Sequence, residues 1–337
     1  MAVNPNVKLN ENGIPSFDDL PLRDGDPKWS AWGLYGEQDE LGTLNRLTDE
    51  RVADAARSEI QTGARISLNW PLNGHTDRAW FERRIFHHEL LNKSPRTVND
   101  DIWTFNSQST SQWDGLRHFG YQKEKMFYNG VTQEDIHAVD DKGQRLKSIN
   151  GIQAWAEKGI VGRGILVDYH RWRHQQTSVD AVDVNAFDTT PIPLADIQAC
   201  LAAQRTKVKF GDILIVRSGW LATMTSKPAA EISSLKQTFP HKFIGVEQTE
   251  PMARWLWENF SALAGDHPTF EAWPTQKDWS FHEVALSGWG CPIGELFDLE
   301  KLSEQCQKLG RWSFFVTSEP CNVVGGVASP PNILAIF

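Results

Sequence analysis

A chain of 337 residues with 40% apolar side chains is long enough to bury one large core, and bounds the molecule at one or two domains. Its formal charge of −9, with no arginine or lysine stripe, argues against nucleic acid as a partner. No apolar run approaches the ~18 residues of a membrane span. The polar opening MAVNPNVKLNENGIPSFDDL lacks the apolar centre of a signal peptide, so a cytoplasmic location is expected.

Taken in chain order, residues 1–28 read as a polar N-terminal arm, followed by a single domain over 29–337. Asp49 is placed to cap a helix over about 50–60, with Gly63 beyond its end. ARISLNWPL reads as a strand, and the mixed stretch 71–100 as a long excursion. DIWTFNSQSTSQWDGLRHFGYQ has no helical period and reads as a strand entering a polar loop, then a short turn. GIQAWAEKG predicts a short helix stopped at Gly159, with a strand over 163–169. PIPLADIQACLAA has apolar positions three and four apart behind Pro193, which predicts a helix. FGDILIVRSGWL is an apolar strand opened by a Gly-Asp turn. Pro251 starts another helix, a short strand follows it, and 299–308 is helical. RWSFFVTSEP and the closing ILAIF predict two last strands. This alternation of helices and apolar strands is that of an α/β protein. No internal repeat is evident.

Four cysteines, Cys200, Cys291, Cys306 and Cys321, are scattered without a CxxC pair, which reads as reduced thiols. Fifteen tryptophans are a surplus, explained either by core packing or by a flat apolar pocket for an aromatic ligand. No G-x-G-x-x-G follows a strand, and neither a P-loop nor a G-x-S-x-G elbow is present.

The segment QSTSQWDGLRH carries the chemistry. Gln108 and Gln112 stand four apart, Asp114 two further on and His118 four beyond that. The spacing is that of a metal site, and Asp114 is a hard oxygen ligand for zinc or manganese. Glutamine offers only a neutral amide oxygen, a poorer donor than imidazole. The two amides could instead donate N–H to a substrate carbonyl. His118 suits general acid–base work, because imidazole titrates near neutrality. Weaker candidates are Glu247 and Gln248 before a helix, the pair Asp266–His267, Tyr121 and Tyr128, and Arg217 as a carboxylate anchor. His170 and His174 mimic a ligand spacing without a third ligand nearby. His87 and His88 are adjacent and diverge.

This segment resembles the signature His-x-Gly-Thr-His-x-Asp-x-x-x-His of the cyclase-like hydrolases, which include kynurenine formamidase and isatin hydrolase. Gln108 and Gln112 stand where that signature has its first two histidines, Asp114 matches its aspartate and His118 its closing histidine. WGLYGEQDELGTLNRLT, FGDILIVRSGWL and FHEVALSGWGCPIGELFDLEKL resemble further family segments in the same order, so the likeness spans roughly 30–337.

The resemblance implies a swivelling β/β/α fold and a homodimer or homotetramer. It implies hydrolysis of an amide, lactam or ester bond of a small aromatic substrate, with His118 as acid/base. The metal positions it implies are Asp114, His282 and Glu295, with Gln112 assisting. Loss of two imidazoles weakens such a site, so three states stay open: one divalent metal, two, or none, the last leaving the polar cluster to act directly. A metal-independent cyclase, dehydratase or isomerase, and a non-catalytic ligand-binding relative, are the alternatives.

Overall fold

The structure is a computed structural model and describes residues 7–144, 147–176 and 185–337. Its strands in chain order begin with β1 Arg65–Ser67, the hairpin β2 His87–Asn92 and β3 Asn99–Thr104, and β4 Gln112–Asp114. They continue with β5 Ile160–Val167, β6 Pro191–Ile192, β7 Asp212–Val216, β8 Gly245–Val246 and β9 Phe260–Gly265. The last four are β10 Ile293–Glu295, β11 Ser313–Ser318, β12 Ala328–Ser329 and β13 Ile333–Ile336. A nine-stranded sheet runs β1-β13-β11-β5-β7-β9-β10-β4-β12. Its middle, β5 to β10, is parallel, and both flanks are antiparallel.

The central strands are buried along nearly their whole length, as expected of parallel strands covered on both faces. DILIV and FSALAG are therefore near-continuous small and branched apolar runs rather than alternating ones. Helices Leu194–Ala203, Glu250–Asn259 and Glu300–Leu309 supply apolar stripes to one continuous core. Trp113, Trp155, Trp220, Trp257 and Trp289 are fully buried in it, so much of the tryptophan surplus is packing. Among the described residues, no helix is long and apolar enough to cross a membrane.

Several local readings shift. The first long helix spans Asp49–Glu59, but its cap is Thr48, whose hydroxyl accepts from the Arg51 amide. Asp49 instead lies in the first turn, where a carboxylate favours the helix N-terminus. The excursion 71–100 contains most of a β-hairpin that pairs only with itself. Short helices Tyr169–His174, Trp220–Ser226 and Ala229–Gln237 carry no long apolar period and escape a sequence reading. The described part of the N-terminal arm is polar in composition, yet it inserts Ile14, Phe17, Leu20 and Leu22 into the core. The Trp257 indole donates to the Pro15 carbonyl at 3.0 Å and holds the arm there.

One buried histidine couples this fold to pH. His75 lies edge-on to Trp70 and its Nε2 lacks a hydrogen-bond partner among the described residues. Burial, and secondarily the Lys236 charge, pushes it down to about 4. Between the ordinary histidine value and that one, the unfolded chain binds a proton that the folded chain refuses. Stability is therefore lost as pH falls from about 6.5 to about 4, by on the order of 3 kcal/mol from this group. Urea unfolding between pH 7 and pH 4 is expected to show this loss, and His75→Gln to remove its share. An unchanged pH slope in the variant would assign the effect elsewhere.

Candidate functional site

The site is built where β4 meets β10. Their antiparallel register sets Gln112 opposite Glu295, Trp113 opposite Gly294 and Asp114 opposite Ile293. Alternation along a strand puts Gln112 and Asp114 on one face and Trp113 on the other. Trp113 packs edge-on to Phe297 at 5.2 Å and donates its indole N–H to Ser318. Gly294 is required beneath it, since a Cβ there would lie 2.7 to 2.9 Å from Phe297, Ala264 and Trp113. The partner on the polar face follows from the register. Gln112 Nε2 donates to Glu295 Oε2 at 2.8 Å and lies 3.3 Å from Asp114 Oδ1.

His282 enters from a π-helical turn, His282–Trp289, every residue of which is buried. Such turns are uncommon and concentrate at functional sites. Its Nδ1 lies 2.8 Å from Glu271 Oε2 and its Nε2 3.0 Å from Glu295 Oε1. Asp114 Oδ2 completes no hydrogen bond among the described residues, although it is fully buried. It faces His282 Nε2 at 3.7 Å and His118 Nε2 at 3.8 Å. His118 sits on the turn after β4 and lines a cavity of about 210 Å³ together with Phe119, Tyr121, Gln122, Lys125 and Phe127.

Burial opposes charge on His282, but Glu271 and Glu295 outweigh it and hold this imidazole well above its ordinary value. For Glu271, too, burial pushes up, yet the same pair keeps it below the usual carboxylate range. Burial pushes Asp114 up to about 6, against the charges of His282 and Arg83. Burial and then the Asp114 charge raise Glu295. His118 is pushed down to about 3 by burial, with His282 and Arg83 adding to the shift. At neutral pH the cluster thus holds a charged His282, a neutral His118 and a carboxyl on Asp114 poised close to its titration range.

All six candidates, Gln108, Gln112, Asp114, His118, His282 and Glu295, lie in one connected cluster. The first metal reading, however, placed Gln112 as an assisting oxygen ligand. Here it turns its nitrogen toward the carboxylates, and Glu295 engages Gln112 and His282 with its two oxygens. The side chains whose candidate ligand atoms lie within 4.8 Å of one another are Asp114, His118 and His282, the last with both ring nitrogens paired to Glu271 and Glu295. One carboxylate and two imidazoles are a donor set that a divalent metal such as zinc or manganese accepts once His282 gives up its Nε2 proton, and Asp114 Oδ2 has no other partner among the described residues.

Other candidates are committed elsewhere. Asp266 accepts from Ser218 N, Ser218 Oγ and Gly219 N, and pins the turn after β7. His267 is wholly buried beneath Gly265. Arg217 bridges Asp168 and Glu300. Tyr121 and Tyr128 donate to the Lys28 carbonyl and to Asp39. Gln248 bonds Thr275 and the Trp279 carbonyl, and Glu247 lies beside it in the chain. His170 and His174 meet each other at 3.2 Å, and His88 pairs with Asp101 on the hairpin that also carries His87. The four cysteines are unpaired. Sequence reasoning passed over Glu271 and Arg83. Neither has a local pattern, and a lone acid within TFEAW was the only trace of the first.

The cyclase family model ("Putative cyclase") matches residues 37–272. The chain belongs to this family. Comparison with curated protein sequences finds no match. Among solved structures, one reported as a novel cyclase is 28% identical, with a TM-score of 0.77, covering 91% of this chain and 99% of its own. Isatin hydrolase A from Ralstonia solanacearum shares 12% identity at a TM-score of 0.53, covering 86% of this chain and 98% of its own. An isatin hydrolase bound to the product analogue thioisatinate shares 11% at 0.55, covering 85% and 95%. The nine-stranded mixed sheet with its helices is the cyclase-like fold expected from the sequence.

Among the described residues, Glu271 is the only carboxylate bonded to the far nitrogen of His282. Its removal leaves a buried imidazolium half-paired, so Glu271→Ala is expected to cost about 3–5 kcal/mol in urea unfolding. Glu271→Gln, which keeps an acceptor, is expected to cost less. Equal stability of Glu271→Ala and wild type would show that His282 is uncharged in the fold.

Proposed function

We propose that this chain is a hydrolase that opens an amide, lactam or ester bond of a small aromatic substrate, with His118 moving the proton. The observation that carries this reading is the orphaned Asp114 oxygen flanked by two imidazole nitrogens at 3.7 and 3.8 Å. A carboxylate and a neutral imidazole side by side can take a proton from an attacking water and return it to a leaving group. His118 is the member of the cluster that opens to a cavity, and Phe119, Tyr121 and Phe127 give that cavity aromatic walls. Relatives of the same fold hold aromatic molecules, thioisatinate in one and benzyl benzoate in another, which supports the substrate class.

A divalent metal, zinc or manganese, would be held by Asp114 and His282 with His118 adjoining. When bound it supplies Lewis-acid polarisation of the substrate carbonyl. The protein's own part is then distinct. Glu271 fixes the His282 ring through Nδ1, Gln112 bridges Asp114 to Glu295, and the buried surroundings keep bulk water out. A second reading, metal-independent proton transfer as in a cyclase, dehydratase or isomerase, is favoured by one observation. The Gln112 amide already donates between the Asp114 and Glu295 carboxylates, in the place where a cation would otherwise balance them. In either case the reading includes a homodimer or homotetramer in the cytoplasm.

Turnover of small aromatic amides, lactams and esters provides the test. His118→Asn is expected to keep the fold and lower turnover by about 10²–10⁴-fold, the usual worth of a general acid or base. Near-wild-type turnover in that variant would remove His118 from the proton path. Metal dependence is settled separately by elemental analysis. Metal present in wild type and lost in Asp114→Ala supports the metal reading, whereas full activity under chelator supports the second. Gln108→His combined with Gln112→His restores two imidazoles to the frame, and calorimetric titration is expected to show tighter zinc binding than wild type.

A further inference from the structure

Among the described residues, Arg83 is a charged side chain that acts on the cluster and that neither reading uses. Its Nη1 donates to the Gln108 carbonyl at 2.7 Å. Among the described residues it has no carboxylate within ion-pair distance, and its guanidinium lies 5.0 Å from the Phe81 ring. Its charge falls on Asp114, His118 and Glu295. The backbone that presents it is strained, since Phe81 and Glu82 both hold positive φ, 58° and 57°. Two successive non-glycine residues in that region cost on the order of 1 kcal/mol each or more, and such strain collects at ligand clamps.

A second donor stands at the same residue that anchors Arg83. As carboxylates, Asp114 and Glu295 only accept, so they fix the Gln112 amide with its nitrogen toward them. That nitrogen also bonds Gln108 at 2.9 Å, so the Gln108 atom facing it must be the oxygen. Gln108 Nε2 then completes no hydrogen bond of ordinary geometry among the described residues, although the Gln108 amide leans on Asp114 and favours its charged form, and the side chain is only 7% exposed. A buried amide N–H₂ without a well-formed bond is costly unless a ligand completes it.

We propose that Arg83 and the Gln108 amide form a carboxylate-binding corner, so that the molecule taken by this site is an aromatic organic acid. The proposal rests on the small-molecule site described above and narrows its substrate class. A guanidinium offers two parallel N–H groups to a carboxylate, the Gln108 amide adds another donor, and Phe81, whose ring the guanidinium lies over, supplies an apolar surface beside Arg83. A ligand carboxylate docked there would leave the rest of the molecule to approach Asp114 and His118.

The test measures binding without turnover, so it stands or falls independently of the hydrolytic reading. Benzoate and phenylacetate are compared with benzamide and phenylacetamide, their neutral isosteres, by calorimetry or ligand-observed NMR. Wild type is expected to prefer the acids by at least about tenfold, the worth of one charge-assisted contact. Arg83→Gln should abolish the preference while leaving amide binding unchanged, and Arg83→Lys should retain part of it. Lys125→Gln, at the cavity beside His118, should keep the preference in full. Equal binding of acids and amides by wild type overturns the proposal without any variant. A preference that survives Arg83→Gln, or that vanishes in Lys125→Gln instead, overturns it as well.

Discussion

The antiparallel contact of β4 with β10 is the constraint on which the rest of the site depends. It sets Gln112 across from Glu295 and brings Asp114 onto the same face two residues away. Three buried carboxylates, Asp114, Glu271 and Glu295, then crowd a region from which water is excluded. Such a group of acids is tolerated only with donors and positive charge between them. His282 supplies the charge and takes Glu271 and Glu295 on its two nitrogens, and the Gln112 amide nitrogen faces Asp114 and Glu295.

Seen this way, glutamine at position 112 has a physical role of its own. An amide is a donor and an acceptor at fixed positions on one group, and here the donor end faces the acids. A neutral imidazole at this position could donate from only one of its ring nitrogens. The glutamine frame therefore satisfies the carboxylates internally, and the Gln112 nitrogen holds Gln108 in a single orientation as well. What it does not satisfy is as informative. Gln108 Nε2, Gln112 Oε1 and Asp114 Oδ2 are buried polar atoms without partners among the described residues. Native interiors rarely leave such atoms unmatched, and a set of them in one place marks where a ligand or ion completes the network.

Much of the architecture was legible because its central strands are long apolar runs and its longer helices carry Pro or a clear apolar period at their starts. The six clustered residues were legible through four separated segments in a fixed order rather than through local spacing. QSTSQWDGLRH alone identifies neither a strand at Gln112–Asp114 nor the partner that Gln112 meets, because that partner lies 183 residues away. Glu271 and Arg83 were invisible for the same reason. Each matters only through a tertiary contact, Glu271 with His282 and Arg83 with the Gln108 carbonyl. Thr48 against Asp49 shows the local limit, since both residues favour a helix start and only the backbone decides which of them caps.

The electrostatics divide the cluster into a fixed part and a responsive part. Glu271 and His282 hold each other charged, their shifts running in opposite directions and each favouring the ionic form. That pair therefore favours its ionic form in the folded protein. Asp114 and His118 are the reverse case. Burial drives both toward their neutral forms, and the nearby positive charges of His282 and Arg83 lower both, opposing burial at Asp114 and adding to it at His118. Groups held near neutrality by burial respond strongly to any charge that enters their surroundings, because little solvent is present to screen it. A rigid ionic base beneath two easily perturbed acid–base groups is an arrangement suited to moving protons. It places the responsive pair at Asp114 and His118, where the unmatched carboxylate oxygen meets the imidazole that opens to a cavity.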